Sequence, residues 1–155
     1  MSGVEERLAA AGITLPQAAA PVASYRPWMF SGNLLFVSGQ LPLQDGKLLA
    51  TGRLGENVSL EEGRACAKLC AINCIAQAKA ALNGDLERVE LVVKLTGFVA
   101  ATADFTEHPQ VINGASELMA LAFGESGQHA RAAVGCSSLP LGAPVEVEAI
   151  FHVRF

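Results

Sequence analysis

Apolar residues recur along this chain in two periods. In VEVEAIFHVRF, Val145, Val147, Ala149, Phe151 and Val153 alternate with Glu146, Glu148, Ile150, His152 and Arg154. A period of two is that of a strand with one face under cover. In VELVVKLTGFV the same period puts Val89, Leu91, Val93 and Leu95 on one face and Glu90, Lys94 and Thr96 on the other. NLLFVSGQ, starting at Asn33, reads as a buried strand and ARAAVGC as another. Asp45-Gly46 in LPLQDGKLLA reads as a hairpin turn into a further one. Two or three strands therefore precede the main helix.

That helix follows Ser59. Ser59 and Glu62 have the spacing of a capping box, Leu69, Ile72 and Ala76 flank a stripe of Cys66, Cys70 and Cys74, and the turn at Asn83 ends the run. A second helix is predicted from Pro109 to Phe123, because proline suits a first helical turn and GESGQ cannot continue one. Near the N-terminus Ser2 and Glu5 repeat the capping-box spacing, with Gly12 as a stop, which predicts a short helix. The order helix, strands, long helix, strand, helix, strands predicts an α+β fold, a mixed sheet with two main helices packed on one face. No repeat, low-complexity tract or linker interrupts the 155 residues, so a single domain is expected, with 1–14 as an N-terminal helical extension.

Composition adds an expectation about assembly. Hydrophobic residues make up 51% and charged residues 17%; a compact monomer of that kind leaves more apolar surface than soluble chains ordinarily carry, so self-association is expected. Net charge is -4 and the eleven Lys and Arg form no basic run, which speaks against nucleic acid as a partner. No apolar stretch reaches the roughly 20 residues of a membrane span, and the N-terminal segment carries acids where a signal peptide carries a basic part. A cytoplasmic protein with no membrane partner is expected. The four cysteines form no CxxC pair and none is spaced with a histidine as metal ligands are; the stripe reads as packed thiols, and no metal or cofactor is expected.

The last strand also raises the question of chemistry. Its second face mixes two carboxylates with Ile150, which suits neither open water nor a core; a subunit interface holding a polar pocket accommodates both. The sequence has no GxSxG elbow, Walker loop, GxGxxG after a strand or HExxH. What remains is Arg131 between two alanines, Glu146 on another strand, Ser38-Gly39-Gln40, and Tyr25. Such a set suits clamping a small carboxylate and placing a water. The plainer alternative pairs Arg131 with a sheet-edge carboxylate and leaves Glu146 on a solvated face.

The chain resembles the Rid family, also called YjgF-like, whose best-known members are imine deaminases. The resemblance rests on NLLFVSGQLPL, on VELVVKLTGFVA followed by Asp104-Phe105, and above all on ARAAVGCSSLPLGAPVEVEAI; it runs from about Tyr25 to the C-terminus. It implies a chorismate-mutase-like α+β fold assembled as a homotrimer with sites between subunits. Carried over by position, Arg131 would hold a substrate carboxylate and Glu146 would orient the hydrolytic water. The backbone at Ala133 would face the reacting nitrogen, Gly39 and Tyr25 would line the pocket, and Asn113 would correspond to a polar helix residue nearby. The implied reaction hydrolyses a 2-imino acid, formed from an enamine, to a 2-oxo acid and ammonia. Its rivals are a non-catalytic binder of small carboxylates such as 2-oxo acids, and an endoribonuclease. Three departures stand out: Ala133 replaces a frequent cysteine, His129 stands where proline or a small residue is usual, and the segment between Asp104 and Arg131 is longer.

Overall fold

The computed structural model describes residues 3–21 and 23–155. In chain order α1 is Val4–Ala10, β1 Trp28–Ser31, β2 Leu34–Gln40, β3 Leu43–Gln44, β4 Lys47–Leu48, α2 Leu60–Ala81, β5 Val89–Ala100, α3 His108–Phe123, β6 Ala130–Cys136 and β7 Val145–Val153. A five-stranded sheet runs β1-β2-β7-β5-β6. Its pairs are antiparallel except β5 with β6, which are parallel and joined through α3, as a parallel pair requires a crossover. Among the described residues no helix is long and apolar enough to cross a membrane.

The alternation of β7 sorts its residues as a period of two demands. Val145, Val147, Ala149, Phe151 and Val153 are buried, while Glu146, Ile150 and His152 are half-buried and Glu148 is exposed on the other side. The buried side joins one core with Cys66, Cys70, Cys74 and Ile75 of α2 and Ile112, Ala115 and Met119 of α3. Cys74 Sγ–H lies 3.4 Å from the Val147 carbonyl and Cys70 Sγ–H 3.7 Å from that of Val145, so the stripe packs the helix on the strand. The two helices approach closely because Gly114 has no side chain; a Cβ there would overlap the Arg64 carbonyl oxygen.

Local signals set the boundaries. Glu62 N–H donates to Ser59 Oγ at 3.1 Å and Ser59 N–H to Glu62 Oε1 at 3.0 Å, closing the capping box that starts α2. Asp45 and Gly46 have φ of 53° and 78°, the left-handed pair that a two-residue hairpin turn between β3 and β4 needs.

Three expectations are corrected. Among the described residues four strands precede α2, because Trp28–Ser31 pairs with β2 as a short edge strand. The faces of β5 do not follow one alternation: the register shifts between Val89 and Leu91 and again between Val92 and Lys94. Each extra residue turns the following side chains over, so Leu91 is 49% exposed and Val92 is buried. At the first helix, Ser2 lies outside the described residues and the N-cap is Gly3, with no side-chain cap. The Val4 N–H donates instead to Glu87 Oε2 at 2.8 Å, while Val4 and Leu8 sit in the core.

Candidate functional site

The predicted site residues fall into two sets. The first is built on a bulge in β2. Val37 lies opposite Ala149 and Gln40 opposite Val147, so β2 carries one residue more than β7 over this span. The bulge is pinned on several sides: Ser38 N–H donates to the Pro27 carbonyl at 2.9 Å, Ser38 Oγ to the Arg26 carbonyl at 2.7 Å, and Gln40 Nε2 to the Ser38 carbonyl at 2.9 Å. This lays the Gly39 backbone over Glu146. A Cβ on Gly39 would overlap Glu146 Oε2 and stand 2.9 Å from its Cδ, so glycine makes the room in which this carboxyl lies. Burial, and then the neighbouring Glu148, push the Glu146 carboxyl above the usual carboxylate range. Tyr25, 48% exposed, joins Gly39, Gln40 and Gln77 around a small cavity of about 50 Å³.

The second set gathers on the edge strand β6. Arg131 lies opposite Leu95, which lies opposite the buried Ala149, so its side chain leaves the sheet on the side of the helices. There Nη1 donates to Asn113 Oδ1 at 2.8 Å and to Ser116 Oγ at 3.1 Å, and Nη2 reaches the Pro109 carbonyl at 3.5 Å. All three acceptors are neutral. Ion pairs among the described residues include Arg53–Glu56, Arg64–Glu117 and Lys79–Glu5, with a His152–Glu90 contact that is one only when the ring is protonated, and none of these includes Arg131. Within the one chain, no carboxylate among the described residues lies at ion-pair distance from Arg131. Ala133 follows two residues on, half-buried and opposite Gly97.

Two further residues belong to this set. Ser116 Oγ is 2.8 Å from His129 Nε2, and His129 Nδ1 donates to the Gly127 carbonyl at 2.6 Å. Sequence reading passed over Ser116, although it stands three residues after Asn113 and so shares its helix face.

Glu146 lies opposite Phe98 of β5, and Arg131 opposite Leu95. An odd offset along one strand points them to opposite faces of the sheet. One chain thus brings Glu146 to Gly39, and Arg131 to Asn113 and Ser116, but does not bring the two sets together. Each has its own chemistry: a cation with no carboxylate at ion-pair distance among the described residues, and a carboxyl that burial shifts toward holding its proton.

A family profile described as "YjgF/chorismate mutase-like, putative endoribonuclease" matches residues 5–151. Protein TCP17 of Trypanosoma cruzi is 49% identical over 144 residues, which cover 92% of this chain and 89% of that protein. Among solved structures, Atu1372 of Agrobacterium tumefaciens, a protein "with unknown function", is 52% identical with a TM-score of 0.92, covering 97% of this chain and 92% of that one. A protein of Shewanella oneidensis MR-1, called a "putative endoribonuclease", is 37% identical with a TM-score of 0.95 and covers 98% and 100% of the two chains. Profile, sequence identity and backbone agree over nearly the whole length, and the chain belongs to the YjgF/chorismate mutase-like family.

Proposed function

We propose that this protein hydrolyses 2-imino acids to 2-oxo acids and ammonia, at sites formed between subunits of a homotrimer. The observation that carries this reading is the Arg131 guanidinium, oriented by Asn113 and Ser116 with no carboxylate at ion-pair distance among the described residues. A cation fixed by neutral acceptors keeps its charge for an anionic ligand, and a planar carboxylate matches its donor geometry. Glu146, with its raised affinity for a proton, supplies the acid–base group.

In this reaction Arg131 holds the substrate carboxylate and Glu146 holds a water against the C=N carbon. The water oxygen bonds to that carbon while Glu146 takes its proton. Returned to nitrogen, that proton gives a carbinolamine. Glu146 then takes the proton of the new hydroxyl and passes it to nitrogen, so that the carbonyl forms as the C–N bond breaks, leaving a 2-oxo acid and ammonia. The Ala133 carbonyl accepts from the departing N–H. An imine already reacts with water, so orientation and proton transfer suffice.

The opposite facing of Arg131 and Glu146 within one chain supports a shared site, in which one subunit gives the clamp and its neighbour the carboxyl. Refolding Arg131→Ala and Glu146→Gln chains together in equal amounts tests this. Random trimers of two inactive chains would regain intact sites at about one in four if the residues come from different subunits, and none if they come from one. Ammonia release from imino acids generated in the assay reads the activity. A wild-type protein that binds 2-oxo acids but releases no ammonia above the uncatalysed rate is a carboxylate-binding protein instead. For an endoribonuclease, a net charge of -4 and dispersed basic residues leave little to neutralise a phosphate backbone.

A further inference from the structure

We propose that His129 is a positioning residue for Arg131, acting through the hydroxyl of Ser116. The proposal rests on the reading of Arg131 as a carboxylate clamp and says what holds that clamp still.

The argument is the direction of each hydrogen bond. A guanidinium only donates, and a backbone carbonyl only accepts. The Gly127 carbonyl, 2.6 Å from His129 Nδ1, therefore fixes the proton on Nδ1. In the neutral ring Nε2 is then an acceptor, and 2.8 Å away it takes the single proton of Ser116 Oγ. With its hydrogen committed to His129, the Ser116 oxygen turns a lone pair to Arg131 Nη1 at 3.1 Å. With the ring neutral, every link has one sense, and each sets the next.

Without the histidine the hydroxyl rotor is free and its proton can point at the guanidinium, a repulsive orientation. Asn113 Oδ1 would then be the side-chain acceptor left to Arg131. Arginine loses much rotamer freedom on binding, and a ligand that meets an already ordered fork binds more tightly. The anchor of this chain is itself fixed: Gly127 is buried, and a Cβ there would overlap the Met119 carbonyl oxygen, so the turn before His129 is seated on α3. A ring that donates on one side and accepts on the other fits a place between a carbonyl and a hydroxyl.

The test measures binding of 2-oxobutanoate by calorimetry and turnover of the corresponding imino acid, on full-length wild type and on Ser116→Ala, Ser116→Thr, His129→Leu and His129→Gln. Ser116→Ala and His129→Leu are expected to raise Kd and KM about tenfold, with kcat nearly unchanged. Ser116→Thr, which keeps the hydroxyl, and His129→Gln, which keeps an acceptor, are expected to recover most of the loss. In an Arg131→Ala background, His129→Leu is expected to change Kd no further, whereas any merely structural damage would lower the melting temperature in both backgrounds alike. Equal Kd for wild type, Ser116→Ala and His129→Leu overturns the proposal while leaving the clamp intact. Equal Kd for wild type and Arg131→Ala overturns the clamp reading, and this proposal with it.

Discussion

The carboxyl of Glu146 occupies the place where any residue but glycine at position 39 would carry its side chain. Gly39 is not at a positive φ, so what its glycine supplies is room. Gly39→Ala is therefore expected to leave the fold in place and to displace Glu146. Turnover should fall by about tenfold or more, since about 1.4 kcal/mol of misplacement already gives that factor. Steady-state kinetics beside a melting curve would check it; full activity in the variant would show that the carboxyl has no required position.

Glu146 and Glu148 share one face of β7, yet Glu146 is half-buried against Gly39 and Glu148 is exposed. Glu146→Gln is expected to lower kcat by about a hundredfold while leaving 2-oxo acid binding close to wild type. Glu148→Gln should change kcat little. Equal losses would assign the effect to the acidity of the face.

The raised carboxyl of Glu146 also fixes the sign of a pH effect. Burial and Glu148 put its folded-state value above the unfolded one, so the folded state binds this proton more tightly. Its contribution is complete below the ordinary carboxylate range and is lost as pH rises through the folded value. The melting temperature of Glu146→Gln minus that of wild type is therefore expected to grow between about pH 4 and pH 7. A flat difference would mean that the folded environment does not penalise the charge.

Arg131→Ala is expected to cost about 2 to 4 kcal/mol of transition-state stabilisation, or about thirtyfold to a thousandfold in kcat/KM. Arg131→Lys should recover little, since an ammonium cannot reproduce the two-donor plane. Because no carboxylate among the described residues pairs with Arg131, the melting temperature should move little. A large drop in melting with full activity of the remaining folded protein would make Arg131 structural.

The cysteine stripe predicts the reverse pattern. Burial, and then Glu62, push the Cys66 thiol up to about 11, and burial pushes Cys70 and Cys74 upward as well. All three should resist thiol reagents at neutral pH in the folded protein. Replacing the three by alanine should cost about 1 kcal/mol each in stability and leave the activity per folded molecule unchanged. Loss of turnover in a folded triple variant would count against a packing role.

What the sequence by itself determined is what nearest neighbours along the chain decide. The capping box at Ser59, the left-handed pair Asp45-Gly46, the stop after Phe123 and the two faces of β7 all depend on residues within a turn or a strand repeat of one another, and all stand as read. Arg131 and Glu146 were legible as unusual charges in a chain poor in them, and the family resemblance implied the roles proposed for them.

Tertiary structure decided the rest. Arg131 lies between alanines, so its strand has no polar face to read, and only pairing with Leu95 turns it toward α3. The bulges in β5 and β2 answer to β7, which lies far away in sequence, and so Leu91 is exposed while Gly39 comes to rest on Glu146. Glu87 serves the N-terminus of α1 across 83 residues. Ser116 and His129 meet only because the buried turn at Gly127 folds back on α3. Periodicity reports which face a side chain takes relative to its own element; which partner that face then meets is set by packing between elements, and hydrogen bonds reaching a few ångströms form only once that packing is complete.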